Sequence, residues 1–211
     1  GPHSTGFHFV TWDQEISNDS LVRTHTRVPN RFEDPISRHG PSYVYGKLMV
    51  NETYKWAFID RVHRHMFNDG LLTPENNRSR WARLQIILDK AIVAESARWG
   101  DARRNPPYTR EDDWLKEMAF MQAPGGYWDQ IHPIVIQRFR NVGLYPNVEA
   151  PVLAQHGGKI ETDFLLAMNT PGNSGSIRYT LDGSDPRLRG DQLNPAASVY
   201  TAPFPLLGNL V

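Results

Sequence analysis

Residues 177–190 read IRYTLDGSDPRLRG, and this stretch decides how the second half of the chain folds. Ile177, Tyr179 and Leu181 alternate with Arg178 and Thr180, the period of a half-buried strand. Turn formers follow at once. Asp182 is of the type that bonds its own backbone two residues on, Gly183 accepts a positive φ, and Pro186 has no N–H to continue a ladder. The stretch is therefore a strand running into a tight loop. From these residues alone the loop is either a ligand site or a corner of a sandwich.

Working outward, the composition changes after LYPNVEAP, residues 144–151. Glycine, proline, serine and asparagine become frequent and helical stripes disappear. FLLAMNT (164–170), SIRYTL (176–181) and ASVYTAPF (197–204) are three short candidate strands separated by turn signals. That pattern predicts a small β-sandwich. The boundary falls near residues 144–150, which divides the chain into a part spanning 1–148 and a part spanning 149–211.

Upstream the period is helical. A strand is predicted over residues 6–12, with Phe7, Phe9 and Thr11 on one face and His8, Val10 and Trp12 on the other. Residues 17–46 are a long loop broken by Pro29, Pro35 and Pro41. A helix follows from Asn51 to Phe67 with Ile59, Val62 and Met66 on its inner stripe. Residues 68–70, NDG, end it. LTPE (72–75) opens the next helix, with Thr73 as N-cap and Pro74 at its first position. Trp81, Leu84, Leu88, Ile92, Glu95 and Trp99 mark its expected inner face, and Gly100 stops it. TREDDW (109–114) begins a third helix through a capping box of Thr109 and Asp112. Its expected buried side is Trp114, Leu115 and Met118. A fourth helix runs from Tyr127 to Val142, with Pro133 in its first two turns and Gly143 just past its end. The fold class is α+β, a mainly helical first part and a fibronectin-like β-sandwich.

The totals exclude several function classes. Lysine and arginine number 23 and aspartate and glutamate 23, so the basic excess of a nucleic-acid protein is missing. No run approaches the ~18 apolar residues of a membrane span. The absence of cysteine rules out disulfides and thiolate metal sites, which fits a cytoplasmic chain or a bacterial exported one. No signal peptide is visible, and the opening Gly1-Pro2 reads as the remnant of a protease cut. Neither GxSxG nor HExxH occurs, so α/β-hydrolase and zincin readings have no support. Ser174 and Ser176 read as loop residues.

FHFVTWDQEIS (7–17) and RVHRHMFNDGLLTPENNRSRW (61–81) with AIVAESARWGD (91–101) resemble the C-terminal part of proteins with a spore-coat-type CotH kinase domain. The fold this implies is the remnant of a kinase-like C-lobe. GSIRYTLDGSDPR with SVYTAPFPL resembles the chitobiase/β-hexosaminidase C-terminal module, a fibronectin-like sandwich. The resemblance to the kinase family implies that Asp13, in Trp12-Asp13, binds the metal on ATP, with Mg²⁺ or another divalent ion as cofactor and Glu15 as a candidate second ligand. The competing reading has Asp13 capping a turn. The family's phosphate-gripping lysine, glycine-rich cover and catalytic aspartate lie upstream of the WD element. The chain therefore reads as a fragment that does not transfer phosphate by itself.

Other residues were weighed for chemistry. His63 and His65 sit two apart on a helix, a poor chelate spacing, and read as solvated. Glu95 and Arg98 read as an ion pair closing the second helix. Asp13, Glu15 and Glu95 are the carboxylates from which a glycosidase pair would be drawn. Trp12, Trp81, Trp99, Trp114 and Trp128 suit sugar stacking, yet four of them fall at core positions of helical stripes or near their ends.

The expected function is that of a non-catalytic C-terminal piece of an exported CotH-like protein, structural or glycan-contacting. One alternative is a glycan hydrolase using Asp13, Glu15 or Glu95, and a second is a metal- and nucleotide-binding remnant of an atypical kinase. The expected partners are carbohydrate or a cell-surface protein, and the expected location is secreted or on a bacterial cell surface. The apolar tail, residues 204–211, beside an unpaired sheet edge predicts a homodimer through the sandwich or a tail folded back over it.

Overall fold

The structure, a computed structural model, describes residues 41–102, 104–173 and 175–206. Its elements are five α-helices followed by short antiparallel strand pairs, an α+β chain. Two compact units meet between Tyr145 and Pro146.

The helical unit begins with α1 (Pro41–Leu48), a helix that takes up the last residues of the expected 17–46 loop, and α2 (Glu52–Met66). The rest of that loop and the expected strand over residues 6–12 lie outside the described residues. Asn51 caps α2 by accepting the Tyr54 N–H at 3.2 Å, which satisfies one of the donors a helix start leaves open. The turn into α3 (Pro74–Trp99) is held by side chains. Thr73, 4% exposed, accepts the Asn76 N–H and donates to the Gly70 carbonyl at 3.0 Å. Asn76 Nδ2 donates to the same carbonyl at 2.9 Å. Then come a π-helical turn (Arg110–Trp114), α4 (Leu115–Gln122) and α5 (Tyr127–Asn141). The last runs through Pro133 and gives way to Gly143 in the left-handed region at φ 69°, a conformation that suits glycine at this place.

Two cores hold these helices. Val62 and Met66 of α2 pack with Ile136 of α5 and with Tyr145, flanked by Phe58, Ile59 and Phe139. Met118 and Met121 of α4 pack with Tyr127 and Ile131 of α5, flanked by Trp81, Trp114 and Trp128. Trp81 and Trp128 are core residues, with ring centroids 6.1 Å apart. His63 departs from its solvated reading. It is half-buried, stacks on Phe67 at 5.0 Å, and its Nδ1 lies 2.8 Å from the Tyr145 hydroxyl. The Tyr145 ring, buried between α2 and α5, supplies the partner that turns a surface position into a packed one.

The inner face of α3 also differs from its apolar pattern. No α3 residue in the described structure is buried. Leu84 and Leu88 are 44% and 41% exposed and Ile87 is 71% exposed. The side that meets α4 and α5 follows Trp81, Gln85, Asp89, Ile92 and Ser96 instead. Gln85 bonds Gln122 of α4, and Asp89 pairs with Arg110 at 2.6 Å. Polar pairing thus fixes the rotation of α3, and the apolar stripe one position back is left in solvent.

The second unit is built from β1 (Val152–Leu153), β2 (Leu165–Leu166), β3 (Met168–Asn169), β4 (Arg178–Tyr179), β5 (Arg187–Leu188), β6 (Gln192–Leu193), β7 (Ser198–Val199) and β8 (Phe204–Pro205). All pairings are antiparallel: β1 with β3, β2 with β8, β4 with β7, β5 with β6. Met168 and Ile177 are buried. Tyr179 stacks on Phe204 at 4.9 Å, and the Tyr200 hydroxyl accepts the Met168 N–H at 3.1 Å. Part of the apolar tail is used inside the chain, since Leu166 is in register with Phe204. Residues 207–211 lie outside the described residues.

Candidate functional site

The loop that opened the sequence reading is a corner. Asp182 Oδ1 accepts the Ser184 N–H at 3.0 Å and its hydroxyl at 2.6 Å, while Gly183 turns the chain at φ 77°. Asp185 accepts the Arg187 N–H at 2.8 Å and two guanidinium donors at 2.9 Å. Asn194 ties the far side by donating to the Asp185 carbonyl at 2.9 Å. The Asp182, Ser184 and Asp185 side chains thus bond within their own corner. The Arg187 contact holds the Asp185 carboxyl below the usual carboxylate range. A depressed folded pKa adds stability that is present above the unfolded value of about 3.9 and is lost as pH falls through the folded one. Asp185→Ala is expected to destabilise the β unit by about 1 kcal/mol at neutral pH, with the difference shrinking below about pH 4. Urea denaturation at two pH values measures it. A full-sized difference at pH 2 contradicts the charged-turn account.

Asp13 and Glu15 lie outside the described residues. Glu95 is placed, and in a definite setting. Where α3 ends against the π-helical turn and α4, an open cleft of about 400 Å³ is lined by Ile92, Glu95, Ser96 and Trp99 on one side and by Thr109, Asp113, Trp114 and Glu117 on the other. Gly100 and Tyr108 form its end. The expected Glu95–Arg98 ion pair does not form among the described residues, because Arg98 lies over the Trp99 ring at 5.0 Å instead. Trp99 is not a core residue, being 54% exposed.

The cleft owes its form to three local features. Gly100 lets the loop approach the end of α3, and the Tyr108 N–H donates to the Gly100 carbonyl at 2.8 Å. Arg104 stacks 3.8 Å above the Tyr108 ring and grips both Asp113 oxygens at 2.7 and 2.8 Å. The third feature is the π turn. Thr109 accepts the Asp112 N–H at 2.9 Å, as a capping box requires. The carboxylate that reaches back to the Thr109 N–H, at 2.8 Å, belongs to Asp113. The predicted partner, Asp112, turns outward to Lys116 at 3.3 Å. The wider i→i+5 winding, seen in the Leu115 N–H bonding the Arg110 carbonyl, moves the reach-back position on by one residue.

The Thr109 N–H first, and Arg104 after it, hold the Asp113 carboxyl below the usual carboxylate range. Asp113 is thus spent on structure. Glu95 and Glu117 are different, since their side chains make no ion pair or hydrogen bond with another described residue, and both are exposed. Sequence reasoning found Glu95 and missed Glu117, which sits on a separate helix with no spacing relation to it. Among the described residues no group of three or more His, Cys, Asp or Glu is arranged to hold a metal, and no helix is long and apolar enough to cross a membrane.

A family model described as Fn3 associated matches residues 166–210. No curated protein and no solved structure matches the chain. The matched segment runs from Leu166 of β2 through β8 and contains the stacked Tyr179–Phe204 pair and the DGSDP corner, which fits a fibronectin-like β module at the C-terminal end.

Proposed function

We propose that the chain is the non-catalytic C-terminal part of an exported CotH-like protein, and that its helical unit contacts carbohydrate of a cell surface. One observation carries the reading. Trp99, Tyr108 and Trp114 line one open cleft together with two carboxylates that have no partner in the described structure. Aromatic faces suit the C–H faces of a sugar ring, and carboxylate oxygens suit its hydroxyls. The Fn3-associated match is compatible with a module that spaces or docks its neighbour.

The presence of Glu95 in the cleft supports a second reading, glycan hydrolysis with Glu117 as its partner. The setting disfavours it. A glycosidase acid is kept protonated by apolar burial, and both glutamates stand in water. Titrating the chain with soluble neutral oligosaccharides and following the tryptophan indole signals by NMR separates the readings. Saturable shifts are expected, with affinity falling about tenfold or more in Trp99→Ala and no reducing ends released. Release of reducing ends that stops in Glu95→Gln would establish the hydrolase, and no shift with any saccharide at millimolar concentration would sink the binding reading.

A further inference from the structure

The charge on the cleft wall is one-sided. Glu95 from α3 and Asp113 and Glu117 from the π turn and α4 contribute to it, and among the described residues no lysine, arginine or histidine lines it, although Arg98 lies over the Trp99 ring and Arg104 over the Tyr108 ring. Asp113 is neutralised from behind by Arg104. What remains is two carboxylates, one from each helix, that pair with no other described residue, in a lining that also holds Trp99, Tyr108 and Trp114. An aromatic face presents the negative side of its quadrupole. Carboxylates and ring faces together favour a cation and disfavour an anion, the combination used by aromatic cages for ammonium groups.

We propose that the group bound in this cleft is an ammonium carried on a sugar ring, with Glu95 and Glu117 flanking the nitrogen and Trp99 or Trp114 under the ring. The amine form differs from its acetylated counterpart in charge, since an N-acetyl group is neutral. This rests on the carbohydrate reading above and narrows it to amino sugars.

The test compares three probes on the full chain by calorimetry at about pH 6, below the ordinary pKa of an amine. They are a glucosamine oligomer, the same oligomer N-acetylated, and a simple alkyltrimethylammonium salt. The amine oligomer is expected to bind roughly tenfold more tightly than the acetylated one. That preference is expected to vanish in the double variant Glu95→Gln, Glu117→Gln. Both positions are exposed, so the variant should melt like the parent, and its melting curve is the control. Equal binding of amine and acetylated oligomers, or a preference that survives the double variant, overturns the proposal and leaves the carbohydrate reading standing. Binding of the alkylammonium salt alone keeps the cation site and removes the sugar. No binding of any probe removes both.

Discussion

Gly100→Ala is expected to lose about 2 kcal/mol of stability in the helical unit and, with it, ligand binding in the cleft. Gly100 follows the last turn of α3 with ordinary right-handed angles, φ −57° and ψ −34°, so backbone preference does not demand glycine. Space does. A Cβ here would sit 2.4 Å from the Tyr108 carbonyl oxygen and 2.5 Å from that of Ser96. Both are backbone atoms and cannot swing away like a side-chain tip. The loop must retreat, and the Tyr108 N–H loses its 2.8 Å bond to the Gly100 carbonyl. The Tyr108 ring and the Arg104 stacked on it move with the loop. Thermal or urea denaturation reads the first effect, and calorimetry with an amino-sugar oligomer the second. A variant as stable as the parent would mean that the loop has room to yield.

Ile136→Ala should cost more stability, about 3 kcal/mol, and leave binding nearly unchanged in the folded fraction. Ile136 is 5% exposed and shares a core with Val62, Met66 and Tyr145. Truncation removes three buried carbons and leaves a void between α2 and α5, and rigid helix backbones close such a void only in part. Ile136→Val removes one methyl group, and about 1 kcal/mol is expected. A graded series in urea denaturation is the check. A loss below 1 kcal/mol for the alanine variant would mean that α2 and α5 collapse onto the gap.

Local signals in the sequence marked the helix ends well, because caps are chemistry within four residues. Thr73 with Pro74, Thr109 and Gly143 do what their types suggest, whereas Gly100 ends α3 with right-handed angles and is required by space. The inner stripe of α2 was legible because Val62 and Met66 meet apolar partners. The inner side of α3 was not, because Gln85 and Asp89 dock through specific partners on other elements, and hydrophobic period carries no record of that. The strand pair β5–β6 escaped notice because two residues per strand are too few to show alternation. Glu95 was visible as a candidate, but the cleft around it depends on α4 and the 104–109 loop, which come together only in the folded chain.

The π turn at Arg110–Trp114 has a consequence for chain length. A π turn is an α turn carrying one additional residue. Deleting one residue from 110–112 would close the turn as ordinary α, because an i→i+5 turn and an i→i+4 turn bring the chain round to nearly the same phase. Asp113 would then stand three residues after the Thr109 cap, the position from which an ordinary capping box reaches back. The extra residue is therefore a slack that the start of α4 absorbs, and homologues with one residue fewer between Thr109 and Asp113 should keep the carboxylate contact to the Thr109 N–H and the residues that face α3.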